Sequence, residues 1–306
     1  MYGCASVTDS TFLGLPSATV DDADADIAII GIPFGVPYPP GTQAAASTGS
    51  PTAIRTRSAR LAAFARHHDF DTGQPMLGGG TARIVDCGDV PGQASDGDGN
   101  ALRARAAIAA LLARGVVPVI LGGDDSIPIP VLAAYEGRGP ITILQVDAHL
   151  DFRDEVAGLR NGYSSPMRRA SEMDHVGAIF QVGLRGVGSA RAAEVADARA
   201  RGNTLVTARE LRERGVGWLL EQLPEGASVF ISFDLDGLDP ALCPGVNAPA
   251  PGGLAWDEIG DLLAGAAARC RVVGAAFTEL APERDPSGTS ALVAARLVIR
   301  LLSAIR

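Results

Sequence analysis

Short apolar runs alternate along the chain with longer segments in which apolar residues recur at intervals of three and four positions. The runs are rich in β-branched side chains and apolar on both faces, which is typical of strands covered by helices on both sides of a sheet. We predict eight strands, over Asp26–Ile30, Arg83–Cys87, Val116–Leu121, Ile141–Val146, Ala178–Val182, Thr204–Val206, Val229–Phe233 and Val272–Phe277.

The segments between these strands carry helix start signals, such as Asp257 and Glu258 in one first turn and Ser287 at the start of the last helix. Strand and helix alternate without an internal repeat or a linker, which predicts one domain over residues 1–306, with 1–25 as an N-terminal extension. The expected fold class is α/β, a three-layer αβα sandwich around a mostly parallel sheet of about eight strands. The predicted helices are Ser50–Phe64, Gly99–Arg114, Ser126–Tyr135, Ala190–Arg201, Ala208–Arg214, Gly215–Gln222, Ala255–Arg269 and Ser287–Ile305.

Composition narrows the partners and the compartment. The chain has 306 residues, a formal charge of −9 and a pI near 5.0, which argues against nucleic acid as a partner. Its four cysteines are scattered without a CxxC pair, which favours a reducing compartment. The sequence shows neither a secretory leader nor the run of about 18 apolar residues that a membrane span needs. We expect a cytoplasmic protein without a membrane partner.

Polar residues follow five of the predicted strands where each apolar run stops. In a parallel sheet the carboxyl ends of the strands share one edge, and ligands bind there. These side chains, far apart in sequence, are therefore expected to meet in a single crevice. The five segments are GGDDS (122–126), DAHLD (147–151), GLRG (183–186), SFDLDGLDP (232–240) and FTEL (277–280).

Two of these segments have the spacing of metal ligands. Asp147, His149 and Asp151 alternate, as do Asp234 and Asp236, so each set projects to one side of an extended chain. So many carboxylates cannot converge in a dry cleft without cations to offset their repulsion. An oxygen-rich set with one imidazole suits Mn²⁺ or a similar ion better than structural zinc.

Three further acids are open to more than one interpretation. Asp124 and Asp125 follow a Gly-Gly turn, and Asp124 is equally well explained as a turn or helix cap. Glu279 ends the last strand within a nearly apolar run, so its burial requires a partner. That partner is either a cationic group of a substrate or Arg185.

These motifs together resemble the ureohydrolase (arginase/agmatinase) family, most closely its agmatinase-like branch. The resemblance implies an arginase-type fold, hydrolysis of a guanidino group to urea and an amine, and two Mn²⁺ ions, with Ni²⁺ or another divalent ion as the alternative. It also implies a homo-oligomer, a trimer or hexamer. It extends from about residue 27 to 302 through IGIPF, PTAIR, GGDDS, DAHLDF, SSPMRRA, VGLRG, SFDLDGLDP and ELAPERDPSGTSALVAARL.

The resemblance also implies a role for each site residue. Asp147 and Asp234 would bridge the two metals, and Glu279 would hold the guanidinium of the substrate. Asp151 would in addition accept a hydrogen bond from the hydroxide that lies between the metals. The ligands that complete one metal or the other would be His149, Asp151 and Asp236.

Two positions depart from the family pattern. Asp125 stands where GGDHS supplies a ligand histidine, and as a ligand it would bring the carboxylates to five against two divalent ions. The extra charge weakens the metals as Lewis acids, which predicts an alkaline optimum or weak metal occupancy at this position. Tyr163 replaces a histidine that shuttles protons, and a phenol with a pKa of about 10 is a poor shuttle at neutral pH. Tyr163 and Asn161 are candidate substrate contacts, and Tyr163 is also a candidate catalytic hydrogen-bond donor.

The leading hypothesis is a hydrolase of a guanidino compound, with agmatine as the first candidate. The alternatives are 4-guanidinobutyrate, guanidine and biguanides, among which the loops 34–49, 88–98 and 152–166 would discriminate. A second hypothesis, motivated by Asp125 and Tyr163, is a non-catalytic partner subunit of a ureohydrolase.

Overall fold

Eight parallel strands form the central sheet in the computed structural model, which describes residues 11–36, 46–79, 82–188 and 190–305. The strand order is β4-β1-β5-β10-β9-β6-β7-β8, and every pair is parallel. β2 and β3 form a separate antiparallel pair. The strands are β1 Ile27–Ile32, β2 His68–Asp69, β3 Gln74–Pro75, β4 Ile84–Asp89, β5 Val117–Gly122, β6 Ile141–Val146, β7 Val176–Leu184, β8 Thr204–Thr207, β9 Ser228–Asp234 and β10 Arg271–Thr278.

Helices cover both faces of this sheet, as predicted. In β1, Ile27 and Ile29 point into one hydrophobic cluster, and Ala28 and Ile30 point into the other. The first cluster contains side chains of α1 and α6 to α9, and the second contains side chains of α2 to α5. The helices are α1 Ser50–Ala59, α2 Gly97–Ala113, α3 Pro128–Ala133, α4 Pro166–Ala170, α5 Ala192–Ala200, α6 Ala208–Arg214, α7 Val216–Gln222, α8 Trp256–Arg269 and α9 Thr289–Ala304.

The predicted elements differ from the observed ones mainly at their ends. The helix predicted over residues 50–64 ends as α1 and continues into a short 3₁₀ turn, Ala62–Phe64. The five-residue α4 and the β2–β3 hairpin were not predicted, because elements this short show no periodicity. Residues 37–45 of the predicted loop 34–49, and 1–10 of the N-terminal extension, lie outside the described residues.

The segment before β1 packs onto the sheet. Phe12 is fully buried, and its N–H donates to Asp86 Oδ2 at 2.7 Å. Ser17 forms a parallel bridge with Asp86, at the outer edge of β4. This segment therefore covers backbone groups that an edge strand would otherwise expose.

The site motifs follow the four central strands. β5, β10, β9 and β6 are neighbours in that order, and GGDDS, FTEL, SFDLD and DAHLD begin within or directly after them. Their carboxyl ends consequently bring the acidic residues together at one edge. No helix in the described part of the chain is long and apolar enough to cross a membrane.

Candidate metal centre

The predicted metal ligands lie side by side at this edge. Asp147, His149 and Asp236 form one group whose ligand atoms lie within 4.8 Å of one another, and Asp125, Asp147 and Asp151 form a second. Asp147 belongs to both groups, which is the arrangement of a carboxylate that bridges two ions. We call them the imidazole triad and the carboxylate triad.

Backbone N–H groups orient the acids of the imidazole triad. Asp147 Oδ1 accepts from His149 N at 2.6 Å, and Asp236 Oδ1 accepts from Ala148 N at 3.2 Å. Asp234 Oδ1 accepts from Asp236 N at 2.7 Å. Asp234 is buried next to Asp236 but belongs to neither triad. The second oxygens of Asp147 and Asp236 lie 2.7 Å from Gln145 Nε2 and 3.0 Å from His149 Nδ1, respectively.

Close backbone packing joins the DAHLD and SFDLDG segments. A Cβ added at Gly237 would lie 2.9 Å from the backbone nitrogen of Asp147, so only glycine fits there without a shift. Arg185 also holds SFDLDG, because its guanidinium donates to the carbonyls of Asp236, Gly237 and Leu238 at 2.6, 3.1 and 3.0 Å.

The hydrogen bonds of Asp125 show whether the site suits a cation. Its Oδ1 accepts from Thr278 Oγ1 at 2.6 Å, whereas its buried Oδ2 has no hydrogen-bond partner among the described residues. A buried, unpaired carboxylate oxygen is costly, and a metal ion beside Asp147 and Asp151 would satisfy it. The donor set of the two triads, four carboxylates and one imidazole, suits Mn²⁺ or a similar divalent ion.

The electrostatics support the same interpretation. Burial, and then the charge of Asp147, raises the pKa values of Asp125 and Asp151 well above the ordinary range. Burial and the neighbouring Asp236 do the same to the pKa of Asp234. Burial opposes protonation of His149, but its contacts with Asp147 and Asp236 raise its pKa to about 11. The protein alone is therefore short of positive charge here, which divalent ions would provide.

Glu279 lies next to the ligands and has no cationic partner among the described residues. Its Oε1 accepts from Asp125 N and its Oε2 from Asn247 Nδ2, both at 2.8 Å. Burial, and then the charge of Asp124, raises its pKa to about 8. Arg185 donates to backbone carbonyls instead, so it does not neutralise Glu279.

A cavity of about 210 Å³ opens onto these groups. Tyr163 and Arg153 line it together with Glu279, whereas Asn161 is exposed and is not among the lining residues. Asp124 caps its own turn, because its Oδ1 accepts from Ser126 N at 2.9 Å. Thus the structure brings all the sequence-predicted acids together with His149 and Tyr163, and it leaves Asn161 apart.

Among the residues around the site that were not predicted from the sequence are four polar ones. Thr278 donates a hydrogen bond to Asp125, and Asn247 donates one to Glu279. Arg153 lines the cavity. Gln145 Nε2 donates to Asp147 Oδ2 at 2.7 Å. Gln145 and Thr278 had a visible signal, because a polar side chain in an otherwise apolar central strand requires a buried partner. Arg153 and Asn247 lie in loops, whose course the sequence does not reveal.

Comparison with known proteins identifies the group to which this chain belongs. The model of the Arginase family matches residues 25–303. The chain belongs to the arginase family. One similar family member is the guanidinobutyrase of Pseudomonas aeruginosa, which is 30% identical over 96% of this chain and 91% of that protein. Another is the mitochondrial agmatinase of Gallus gallus, which is 31% identical over 95% of this chain and 84% of that protein. The structure of the proclavaminate amidino hydrolase from Streptomyces clavuligerus has a TM-score of 0.81 and 28% identity, and the match covers 97% of each chain.

Membership in the arginase family confirms three predictions. The resemblance was assigned correctly, the fold is of the arginase type, and the enzyme class is amidinohydrolase. The family depends on a binuclear metal centre, which the two triads that share Asp147 fit.

Proposed function

We propose that the protein hydrolyses a guanidino compound to urea and an amine, with two Mn²⁺ ions as its cofactors. The observation that carries the proposal is the convergence of Glu279, which lacks a cationic partner among the described residues, with two metal-binding triads at one cavity. The similarity to proteins named guanidinobutyrase and agmatinase supports the substrate class. Agmatine, the first candidate from the sequence, would connect the protein to polyamine metabolism.

The two triads would hold the ions. Asp147 would contribute to both, with Asp125 and Asp151 on one side and His149 and Asp236 on the other. Asp234 is buried beside them, and its raised pKa supports a role as a further ligand. When bound, two divalent ions supply a water molecule activated as a nucleophile and stabilise the charge that develops on the substrate.

The chain's own groups would then position the substrate. Glu279 would bind the planar guanidinium through charge-assisted hydrogen bonds, held in place by Asn247 and the N–H of Asp125. The water oxygen forms a bond with the guanidinium carbon, and the bond from that carbon to the alkyl nitrogen breaks. Both protons of the water end on that nitrogen, so the products are neutral urea and an alkylammonium ion. Asp151 would accept a hydrogen bond from the attacking water, and Tyr163 would donate a hydrogen bond in the cavity.

Urea release tests this proposal. Mn²⁺-loaded protein is assayed against agmatine, 4-guanidinobutyrate, arginine, guanidine and biguanides at pH values of about 7.5 and 9.5, because the sequence predicts an alkaline optimum. We expect urea from at least one compound and a loss of at least about 100-fold in Asp147→Ala, because that substitution removes a ligand common to both triads. Lack of urea from every compound would contradict the proposal. Without bound metal it would favour a non-catalytic partner subunit, and with two metals bound per chain it would favour an amidino substrate outside the panel. Assembly into a homo-oligomer stays a prediction.

A further inference from the structure

The cavity has charges of opposite sign among its lining residues. Glu279 and the carboxylates of the two triads make one part of it strongly acidic. Of the described residues that line it, Arg153 alone carries a guanidinium or ammonium group. A molecule that fills this cavity would therefore meet acidic groups and one basic group.

The backbone holds Arg153 at the wall. It is two residues after Asp151, and its N–H donates to the carbonyl of Ser164 at 2.9 Å, next to Tyr163. Its side chain is 19% exposed, and Arg153 Nε lies 3.5 Å from Glu194 Oε1. The pair with Glu194 is made by Nε, so a carboxylate in the cavity would be bound through the two Nη groups as paired donors.

Glu194 does not neutralise Arg153 by itself, because it is shared. Its Oε1 also lies 3.1 Å from Arg191 Nη1, and its Oε2 accepts from Arg191 N at 2.7 Å. Two arginines thus face one carboxylate. The group Arg153, Arg191 and Glu194 consequently has an excess of one positive charge, which one further anionic group would balance.

We propose that the substrate is a guanidino carboxylic acid and that Arg153 binds its carboxylate. This inference rests on the proposed function and specifies its substrate class. A zwitterion places its guanidinium against Glu279 and its carboxylate against Arg153, so both ends find an opposite charge. Agmatine would instead place an ammonium near Arg153, and like charges in a partly buried cavity repel each other.

Three substrates that share a guanidino-propyl stem separate these possibilities. They differ in the group at the far end: a carboxylate in 4-guanidinobutyrate, a methyl in butylguanidine and an aminomethyl in agmatine. For Mn²⁺-loaded wild-type protein, we expect kcat/KM for urea release to fall in the order 4-guanidinobutyrate, butylguanidine, agmatine. Loss of hydrogen bonds to a charged group should make Arg153→Met lower the kcat/KM ratio of 4-guanidinobutyrate to butylguanidine by about 10- to 100-fold, mainly through KM. Arg153→Lys should restore part of it.

Two variants separate a binding role from damage to the fold. Glu194→Gln removes the competing charge and keeps a side chain that can still bind Arg191 N, so it should raise kcat/KM for 4-guanidinobutyrate about two- to five-fold. A gain of this kind does not arise from misfolding. Arg160→Met is the matched control, because Arg160 is 56% exposed, pairs with Asp154 and does not line the cavity.

The outcomes distinguish the two proposals. If neither these three compounds nor arginine, guanidine and biguanides yield urea, the proposed function fails. If urea is released but agmatine is the best substrate, or if Arg153→Met leaves the kcat/KM ratio unchanged, the assignment to guanidino acids is overturned and the hydrolase remains. Circular dichroism and bound-metal content of each variant show that the fold and the centre are intact.

Discussion

Two acids of the site adopt a backbone conformation that their sequence context does not reveal. Asp151 and Glu279 have φ values of +47° and +66°, in the left-handed region that residues other than glycine rarely occupy. Such a conformation costs about 1–3 kcal/mol and persists only where the surroundings impose it. Glu279 N donates to Gly123 O at 2.8 Å, which fixes the turn. The sequence therefore predicted both acids as site residues but not the backbone conformation that orients them.

Asp125 is the residue whose chemistry departs most from the family pattern. Asp125→His removes one negative charge from the ligand set, which should lower the pKa of the activated water. We expect the wild-type kcat/KM to rise between pH values of about 7 and 9, and the profile of Asp125→His to lie at lower pH. The measurement is kcat/KM against pH with metal content determined at each point.

Asp124→Asn is the matched control for Asp125→His. It removes a buried charge next to the ligand set but outside both triads, and its amide oxygen can still accept from Ser126 N. The control also removes a charge that raises the pKa of Glu279, so any shift that it causes is assigned to Glu279, and the shift in Asp125→His should exceed it. Superimposable profiles for Asp125→His and wild type would show that Asp125 does not set the acidity of the nucleophile.

At the scale of elements, the sequence located all eight strands of the sheet to within two residues at each end. It succeeded because strands buried on both faces appear as continuous apolar runs. It could not give the spatial order, in which β10 lies between β5 and β9. In a parallel sheet the order depends on how each crossover returns to the sheet, and local hydrophobic pattern carries no information on that.

Three buried amide side chains form a hydrogen-bonded chain that ends at the candidate metal centre. They belong to β6, to β7 and to Asn203, the residue just before β8. Asn203 Nδ2 donates to Gln181 Oε1 at 2.9 Å, and Gln181 Nε2 donates to Gln145 Oε1 at 2.7 Å. Gln145 Nε2 then donates to Asp147 Oδ2 at 2.7 Å. The amides fix which way Gln145 faces, and Gln145 in turn orients the carboxylate shared by both triads.

Gln145→Leu keeps the size of the side chain and removes this hydrogen bond. Groups that orient metal ligands typically contribute 10–100-fold to affinity, so we expect Mn²⁺ to bind about 10- to 100-fold more weakly, as measured by calorimetric titration. Gln222→Leu, on an exposed part of α7, is the control and should leave Mn²⁺ affinity unchanged. An unaltered dissociation constant in Gln145→Leu would rule out an orienting role for Gln145.

At the scale of the whole molecule, residues 11–25 behave structurally as part of the domain. The sequence suggested a simple extension here, because the family motifs begin only at about residue 27. Phe12 nevertheless joins the hydrophobic cluster that contains α1, α8 and α9, and Leu13 N donates to Ser58 Oγ at 2.8 Å. The carboxylate of Asp86 accepts a hydrogen bond from Phe12 N. It also forms an ion pair with Arg55, whose Nε lies 2.8 Å away. One buried carboxylate thus connects the N-terminal segment, α1 and β4.

This connection predicts that the described chain unfolds as one cooperative unit, including the N-terminal segment. Phe12→Ala removes a fully buried ring and should lower the free energy of unfolding by about 3–5 kcal/mol. Phe70→Ala is the matched control, because Phe70 is 92% exposed and its loss should change stability by less than about 0.5 kcal/mol.

Urea denaturation of the metal-free variants is followed by far-ultraviolet circular dichroism and by tryptophan fluorescence, which reports on α7 and α8 through Trp218 and Trp256. Coincident transitions, shifted together by Phe12→Ala, are expected if the segment and the sheet are one unit. A Phe12→Ala protein with the wild-type midpoint would show instead that the segment is attached to the domain without stabilising it.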